Sequence, residues 1–142
     1  MTSPAPANLL IVDDDVSVSF TLGAVFEREN CRVQIGRSLA EMSALLDRAK
    51  FDVALVDLRL GEESGLQALA VLQNRQPDCR SIVLTGYSSL ESAVGALRLH
   101  AVDYLNKPCD LDQLKHAVVL AKTLADAARA CRECLEKLQD KK

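Results

Sequence analysis

Short apolar runs that end in acidic residues constrain this chain more than any other feature of its sequence. Residues 9–12 are followed by the acidic triplet 13–15, and residues 53–56 are followed by Asp57. Continuous Val, Leu and Ile runs of this length are typical of buried parallel strands. Carboxylates that cluster at the ends of such strands repel one another unless a hard cation lies among them. The pattern therefore predicts a parallel sheet with an acidic, magnesium-type pocket at one edge.

Strand-like runs alternate with helix-like segments along the whole chain. The strand-like runs cover residues 9–12, 32–35, 53–56, 81–84 and 101–105, and the helix-like segments cover residues 16–29, 39–50, 66–74, 90–99 and 111 onward. Ser38 with Glu41, and Ser88 with Glu91, fit the capping box at two helix starts. Five strands alternating with five helices predict an α/β fold, a doubly wound parallel sheet with right-handed crossovers.

Polar side chains follow four of the five strands: Asp13 and Asp14 the first, Asp57 the third, Thr85 the fourth and Lys107 the fifth. In an open α/β sheet the site forms at the carboxyl ends of the strands, which brings these groups together. Taken alone, Asp13 and Asp14 fit a helix cap as well as a metal site.

Together these groups predict phosphoryl transfer onto Asp57. Mg²⁺ would be held by Asp14 and Asp57, with Asp13 acting through a metal-bound water. Lys107 and Thr85 would contact the remaining phosphoryl oxygens.

Composition excludes several other classes of protein. A chain of 142 residues that is 49% hydrophobic is expected to form one soluble domain. Its net charge of -3 offers no basic surface for direct nucleic-acid binding, and no run approaches the roughly 20 apolar residues that span a bilayer. Five scattered cysteines favour a reducing, cytoplasmic location. Because Cys131 and Cys134 have no second pair and no nearby histidine, they are predicted to be ordinary helix residues rather than metal ligands.

Four motifs together resemble the receiver domain of two-component response regulators. In chain order they are IVDDD at 11–15, ALVDL at 54–58, VLTGY at 83–87 and DYLNKP at 103–108. The resemblance covers residues 8–124 in the order and spacing of that family. The stretch from Thr85 to Lys107 is also similar to receivers of redox-responding global regulators.

The resemblance implies a flavodoxin-like (CheY-like) sheet with strand order 2-1-3-4-5 and a receiver domain over residues 1–124. It implies that Asp57 accepts a phosphoryl group from the phosphohistidine of a sensor histidine kinase or phosphotransfer protein. Mg²⁺ would be bound by Asp14, Asp57 and the backbone carbonyl of Arg59, and the Lys107–Pro108 peptide bond would be cis. A receiver is a signalling switch and not an enzyme, with self-phosphorylation from small phosphodonors and slow autodephosphorylation as its only catalysis.

In this family the signal leaves through helix 4, strand 5 and helix 5, in many cases toward transcription. Tyr104 is expected to rotate inward when Thr85 moves toward the phosphoryl group; the alternative is a half-buried aromatic side chain with its hydroxyl in water. Arg59 and Tyr87 either screen the site from water or lie in solvated loops.

A Mg²⁺-dependent phosphohydrolase that uses Asp57 as its nucleophile is the alternative function. Such an enzyme needs an acid/base carboxylate close after the nucleophile to activate water. Leu58, Arg59 and Leu60 follow Asp57, so the sequence does not clearly meet this requirement.

The chain is expected to continue beyond the receiver as a helical extension over residues 125–142. No Gly or Pro follows Pro108, and seven residues at alternating spacings of four and three predict a heptad seam: Ala117, Ala121, Leu124, Ala128, Cys131, Leu135 and Leu138. The seam predicts a homodimer or a helix that leads to an output element; the alternative is a frayed terminus. Because no DNA-binding segment is evident, the chain is expected to be a stand-alone receiver or the receiver part of a longer regulator.

Overall fold

A computed structural model describes residues 6–140. Five parallel strands form one sheet in the order β2-β1-β3-β4-β5, which confirms the predicted fold and strand order. The strands are β1 (Asn8–Val12), β2 (Arg32–Gly36), β3 (Val53–Val56), β4 (Arg80–Thr85) and β5 (Asp103–Asn106). The helices are α1 (Val16–Arg28), α2 (Leu39–Arg48), α3 (Gly65–Arg75), α4 (Leu90–Arg98) and α5 (Leu111–Asp140).

Two apolar layers cover the faces of the sheet. Successive residues of a strand point to opposite faces, so Leu9 and Leu10 of β1 belong to different core clusters. Met42 of α2 belongs to the same cluster as Leu10, together with residues of α3 and α4. Phe26 of α1 and Leu114 of α5 belong to the cluster of Leu9. The central strands β1, β3 and β4 are buried almost throughout, which explains why their sequences are continuous apolar runs.

The cap of α4 differs by one residue from the sequence prediction, although the helix begins at residue 90 as predicted. Its capping residue is Ser89 and not Ser88. The Ser89 hydroxyl accepts a hydrogen bond from the backbone N–H of Ser92 at 3.0 Å, and the Ser92 hydroxyl accepts one from the backbone N–H of Ser89 at 3.0 Å. Two serines close a capping box here, so the predicted partner Glu91 has no part in it.

An unpredicted antiparallel hairpin of residues 59–64 lies between β3 and α3. The Glu63 carboxylate on this hairpin accepts a hydrogen bond from the backbone N–H of Leu39, the first residue of α2, at 3.1 Å. Ser38 caps α2 as predicted, by accepting from the backbone N–H of Glu41 at 3.1 Å. The carboxylate contact at this helix start therefore comes from the distant hairpin and not from the predicted partner Glu41.

The final helix α5 has 30 residues, which corresponds to a length of about 45 Å. Neither α5 nor any other helix within residues 6–140 is apolar over enough of its length to cross a bilayer. Ala117 and Ala121 are buried in the core, with 6% and 0% of their surface exposed. The predicted heptad seam is therefore wrong at its first two positions, because these small side chains pack α5 closely against its own sheet.

Two ion pairs anchor α5 beyond the expected end of the receiver at residue 124. The Arg129 guanidinium lies 2.9 Å from the carboxylate of Asp52, which is buried at the start of β3, and Arg132 lies 3.0 Å from Asp78. Ala125 is fully buried as well. The helical extension is thus continuous with the domain, and it is described to residue 140; residues 141 and 142 of the predicted extension lie outside the described residues.

Candidate functional site

Strand ends bring the predicted site residues to one edge of the sheet. The backbone N–H of Asp57 donates to the carbonyl of Val12 at 2.9 Å, and that of Asp13 donates to the carbonyl of Gly36 at 3.1 Å. The backbone N–H of Lys107 donates to the carbonyl of Thr85 at 2.8 Å. Each of these bonds extends strand pairing by about one residue, so the side chains are fixed relative to the sheet.

Lys107 forms ion pairs with two of the carboxylates. Its Nζ atom lies 2.7 Å from Asp13 Oδ2 and 2.8 Å from Asp57 Oδ2. Burial alone would lower the pKa of Lys107, but the hydrogen bonds to Asp13 and Asp57 and the charges of both carboxylates outweigh it and raise that pKa. The side chain therefore remains an ammonium at neutral pH. The peptide bond between Lys107 and Pro108 is cis, as the resemblance implied.

The two oxygens of the Asp57 carboxylate have different partners. Oδ2 contacts Lys107, whereas Oδ1 accepts hydrogen bonds from the backbone N–H of Arg59 at 3.0 Å and from the Thr85 hydroxyl at 3.1 Å. The Thr85 hydroxyl in turn accepts from the backbone N–H of Tyr87 at 3.1 Å, which orients its proton toward Asp57. Asp57 is 7% exposed and Thr85 is fully buried, so these contacts are screened little by water.

The three residues of the acidic triplet have two different roles. Asp15 is the capping residue of α1 and accepts from the backbone N–H of Val18 at 3.0 Å. The helix-cap alternative thus applies to Asp15, while Asp13 and Asp14 face the site. Burial raises the pKa of Asp13 above its ordinary value, although the Lys107 ammonium and the backbone N–H of Asp15 partly oppose this.

Asp13, Asp14 and Asp57 fit a divalent cation. Each offers one carboxylate oxygen, and these oxygens lie within 4.8 Å of one another. Asp14 is exposed, and its Oδ2 atom accepts from the backbone N–H of Gly61 at 2.7 Å. Among residues 6–140, Lys107 is the one ammonium paired with these carboxylates, so a hard cation with oxygen ligands would relieve their repulsion.

Arg59 and Tyr87 lie beside this cluster and contact each other. The Arg59 guanidinium carbon is 4.2 Å from the centroid of the Tyr87 ring, a cation–π distance. The backbone of each residue donates to the site, Arg59 to Asp57 and Tyr87 to Thr85. The sequence left open whether these side chains screen the site or lie in solvated loops; in the structure they form one stacked pair over adjacent loops.

Tyr104 is half-buried and packs against the core. Its hydroxyl lies 2.8 Å from the Ser92 hydroxyl in the first turn of α4. Neither of the two interpretations from the sequence included this contact, because Ser92 is twelve residues away and its only local signal is the capping box with Ser89.

Gly65, like Ser92, is a residue whose role the sequence analysis did not predict. A Cβ atom at this position would lie 2.1 Å from the carbonyl oxygen of Asp57 and 2.6 Å from the Cα atom of Leu58. Only glycine allows α3 to begin this close to the strand end that carries Asp57. A glycine eight residues after an acidic strand end is the available signal.

Comparison with known proteins identifies the family. The family model of the response regulator receiver domain matches residues 9–119. The chain belongs to the response regulator receiver family. The resemblance drawn from its four motifs is therefore confirmed.

Relatives of this receiver are transcriptional and other regulatory proteins of greater length. It is 39% identical to the photosynthetic apparatus regulatory protein RegA of Cereibacter sphaeroides over 115 residues, which are 81% of this chain and 62% of RegA. It is also 39% identical to the alginate biosynthesis transcriptional regulatory protein AlgB of Pseudomonas aeruginosa over 139 residues, which are 98% of this chain and 30% of AlgB. RegA bears out the expected likeness to redox-responding regulators. The chain thus spans less than two thirds of the length of both relatives.

A solved structure carries the same fold with a modified acidic residue. A response regulator protein from Burkholderia pseudomallei, solved with a phosphorylated aspartic acid, calcium ion and citrate, is 37% identical to this receiver with a TM-score of 0.76. The match covers 92% of this chain and 74% of that protein.

Proposed function

We propose that this receiver is a phosphorylation-dependent switch in which Asp57 accepts a phosphoryl group from the phosphohistidine of a sensor histidine kinase or phosphotransfer protein. The observation that carries the proposal is the buried Asp57 carboxylate with the Lys107 ammonium on one oxygen and the Thr85 hydroxyl on the other. The attacking carboxylate oxygen forms a bond to phosphorus while the bond from phosphorus to the imidazole nitrogen breaks. The nitrogen keeps the electron pair and takes up a proton.

Lys107 and Thr85 are the proposed catalytic partners of Asp57. Phosphoryl transfer is accelerated mainly by positioning and by neutralising charge on the transferred oxygens. Lys107 already lies 2.8 Å from the acceptor carboxylate, so its ammonium needs only a small displacement to pair with a phosphoryl oxygen. The Thr85 hydroxyl is a donor at 3.1 Å and can serve a second oxygen.

Mg²⁺ is the proposed cofactor. Asp14, Asp57 and the backbone carbonyl of Arg59 would hold it, with Asp13 acting through a bound water. When bound, it supplies positive charge to the phosphoryl oxygens. The fit of three oxygens within 4.8 Å and the excess of carboxylates over ammonium groups support this assignment.

We expect Mg²⁺ to stabilise the folded protein and Asp14→Asn to weaken that effect. At a concentration ten times its dissociation constant, the ion should raise the free energy of unfolding by about 1.4 kcal/mol. Urea denaturation with and without Mg²⁺ measures this change. Asp15→Asn is the matched control, because Asp15 caps α1 and asparagine caps almost as well, so the Mg²⁺ effect should persist. Equal Mg²⁺ effects in the Asp14 and Asp15 variants would contradict the assignment.

The proposed switch runs from Thr85 to the face of α4, β5 and α5. Tyr104 on β5 contacts Ser92 on α4 at 2.8 Å, so a change in the Tyr104 position is coupled to the first turn of α4. The outer side of α4 carries Leu90 and Leu97, which are 83% and 72% exposed. Exposed apolar side chains on this face suit binding to a partner or output domain.

Tyr104→Phe is expected to uncouple α4 from phosphorylation. The variant loses the hydrogen bond to Ser92, worth about 1 kcal/mol, but keeps the packed ring. Labelling of Asp57 by acetyl phosphate should be unchanged, whereas the phosphorylation-dependent change in amide hydrogen exchange across residues 88–98 should shrink. Tyr87→Phe is the control, because the exposed Tyr87 ring stacks on Arg59 through its face. If both variants keep the full exchange change, Tyr104 is not the relay.

Transcription regulation in the cytoplasm is the proposed setting. RegA and AlgB are named as regulatory proteins, and the similarity to AlgB extends over the final helix as well as the receiver. We propose a receiver over residues 1–124 and an extension over residues 125–142 that leads toward an output element. Catalysis would be limited to self-phosphorylation and slow autodephosphorylation.

The extension is also a proposed dimerisation element. We define the tail stripe as six exposed positions of α5 at alternating spacings of four and three: Leu120, Leu124, Ala127, Cys131, Cys134 and Leu138. It lies on a different side of α5 from Ala121 and Ala125, which are buried against the domain. Lys137 is the one charged residue at the positions that flank the stripe, so two identical helices would meet with little charge repulsion.

Leu120→Ser together with Leu138→Ser should weaken self-association by at least about tenfold, since two tail-stripe side chains that are 55% and 58% exposed would lose apolar contacts in the dimer. Sedimentation measures the dissociation constant. Val119→Ser is the control, because Val119 is 64% exposed on the same helix but lies off the tail stripe. A monomeric wild-type chain at all concentrations would contradict the dimer.

Acetyl phosphate tests the proposed function directly. Incubation of the wild-type chain with acetyl phosphate and Mg²⁺ should add one phosphoryl group to the intact mass, and chelation of Mg²⁺ should prevent it. Rapid multiple turnover of phosphate esters without a lasting mass increase would instead favour the phosphohydrolase. No mass increase with any donor would contradict the switch.

A further inference from the structure

The cysteines of this chain fall into two groups with different access to solvent. Cys79 is buried, and burial raises the pKa of its thiol to about 12. Burial also raises the pKa of the half-buried Cys31 and Cys109 thiols. Cys131 and Cys134 are exposed on α5. The thiolate is the reactive form of cysteine, so burial and a raised pKa disfavour oxidation of Cys31, Cys79 and Cys109. Exposure to oxidants favours oxidation of Cys131 and Cys134.

Both exposed cysteines lie on the tail stripe, at two successive positions of its heptad pattern. In a parallel, in-register pair of helices, each position of a heptad seam faces the same position of the second helix. Cys131 would then face Cys131 of the second copy, and Cys134 would face Cys134. Neither thiol is needed for packing within one chain, since no residue after Arg129 is buried in the described part of α5.

The distance across such a seam suits a disulfide. Packed helix axes lie about 8–10 Å apart, and each Cα atom lies about 2.3 Å from its axis. Directly facing Cα atoms of helices at the wider spacing are therefore about 5 Å apart. Disulfides join Cα atoms separated by about 4.4–6.8 Å.

We propose that Cys131 forms a reversible disulfide with Cys131 of a second copy of this chain, and that this bond holds the tail stripe as a covalent dimer. The proposal rests on the dimer of the proposed function. Cys131 is chosen over Cys134 because it lies closer to the middle of the stripe, between Leu124 and Leu138.

A small-molecule disulfide such as oxidised glutathione is the oxidant. One Cys131 thiolate attacks a glutathione sulfur, which forms a mixed disulfide and releases one glutathione thiolate. The second Cys131 thiolate then attacks the protein sulfur of the mixed disulfide and releases the other glutathione. Two protein thiols are oxidised, one glutathione disulfide is reduced to two thiols, and the two protons pass to the released glutathiones. Oxidation would thus lock the tail-stripe dimer covalently, and reduction would release it.

Cross-linking of the full chain in a glutathione redox buffer tests this inference. The Cys134→Ser variant keeps Cys131 as its one cysteine in the stripe. It should form a disulfide-linked dimer at least about tenfold more readily than a triple variant that carries Cys131→Ser, Cys134→Ser and Glu133→Cys. The cysteine introduced at 133 would be equally exposed but would point away from the stripe. Equal cross-linking at 131 and 133, or oxidation of the wild type only to an intramolecular Cys131–Cys134 bond, would overturn the proposal.

Two further measurements distinguish a failure of this inference from a failure of the proposed dimer or of the proposed phosphorylation. Sedimentation of the reduced double-serine variant reports the dimer without any thiol in the stripe. A dimer that does not cross-link through Cys131 overturns the disulfide and leaves the dimer standing, whereas a monomer overturns both. Labelling by acetyl phosphate reports Asp57 and should be the same in all of these variants.

Discussion

Asp57→Asn should lower covalent phosphoryl labelling by at least about 100-fold, because the substitution removes the nucleophilic oxygen and leaves an amide in its place. The amide preserves the size of the side chain, so the fold should be retained. Intact-mass measurement after incubation with acetyl phosphate and Mg²⁺ gives the labelled fraction. A phosphoryl group elsewhere on the chain would leave this fraction unchanged.

Asp52→Asn is the matched control for this experiment. Asp52 precedes β3 as Asp57 follows it, and the two side chains are similarly buried, with 5% and 7% of their surface exposed. Asp52 pairs with Arg129 at the opposite end of the sheet from Lys107. Its substitution should cost stability, since a buried ion pair is broken, but should leave labelling intact under conditions where the variant is folded. Loss of labelling in both variants would point to a general defect and not to the acceptor.

Gly65→Ala is expected to destabilise the protein by about 3 kcal/mol or more. The added Cβ atom would lie 2.1 Å from the Asp57 carbonyl oxygen and 2.6 Å from the Leu58 Cα atom. Both neighbours are backbone atoms, so relief requires α3 or the end of β3 to shift. The shift would also displace Asp57, and labelling by acetyl phosphate should fall in the fraction that remains folded.

Urea denaturation of Gly65→Ala and Gly23→Ala separates the steric effect from helix propensity. A Cβ atom at Gly23 in α1 would meet Ile35 Cδ1 at 3.5 Å, an ordinary contact. Alanine in a helix interior is favoured over glycine by about 1 kcal/mol, so Gly23→Ala should be neutral or stabilising. Equal effects of the two substitutions would show that the close approach at Gly65 carries no cost.

The sheet and the main site residues were predictable because they depend on local patterns. Continuous apolar runs specify buried strands, and parallel strands bring their carboxyl ends to one edge, so Asp13, Asp57 and Lys107 had to meet there. The predicted cap of α4 was wrong by one residue because Ser88 with Glu91 fits the usual capping box, whereas the structure closes the box with Ser89 and Ser92.

Contacts between distant segments account for what the sequence did not predict. The Tyr104–Ser92 hydrogen bond and the Arg59–Tyr87 stack each join two loops or elements whose relative position follows only from the fold. Heptad spacing likewise does not determine which side of a helix packs against its own domain. Ala121 fits a dimer seam by spacing, yet it is fully buried against the sheet.

Chemical mapping of the phosphoryl group tests the central claim most directly. Borohydride reduces an aspartyl phosphate to homoserine, and peptide mass spectrometry then locates the changed residue. After treatment with acetyl phosphate and Mg²⁺, the peptide that contains residues 53–58 should carry homoserine at position 57 and no other peptide should change. A stable mass increase without homoserine at 57, or with reduction at Asp13, Asp14 or Asp52, would contradict the account.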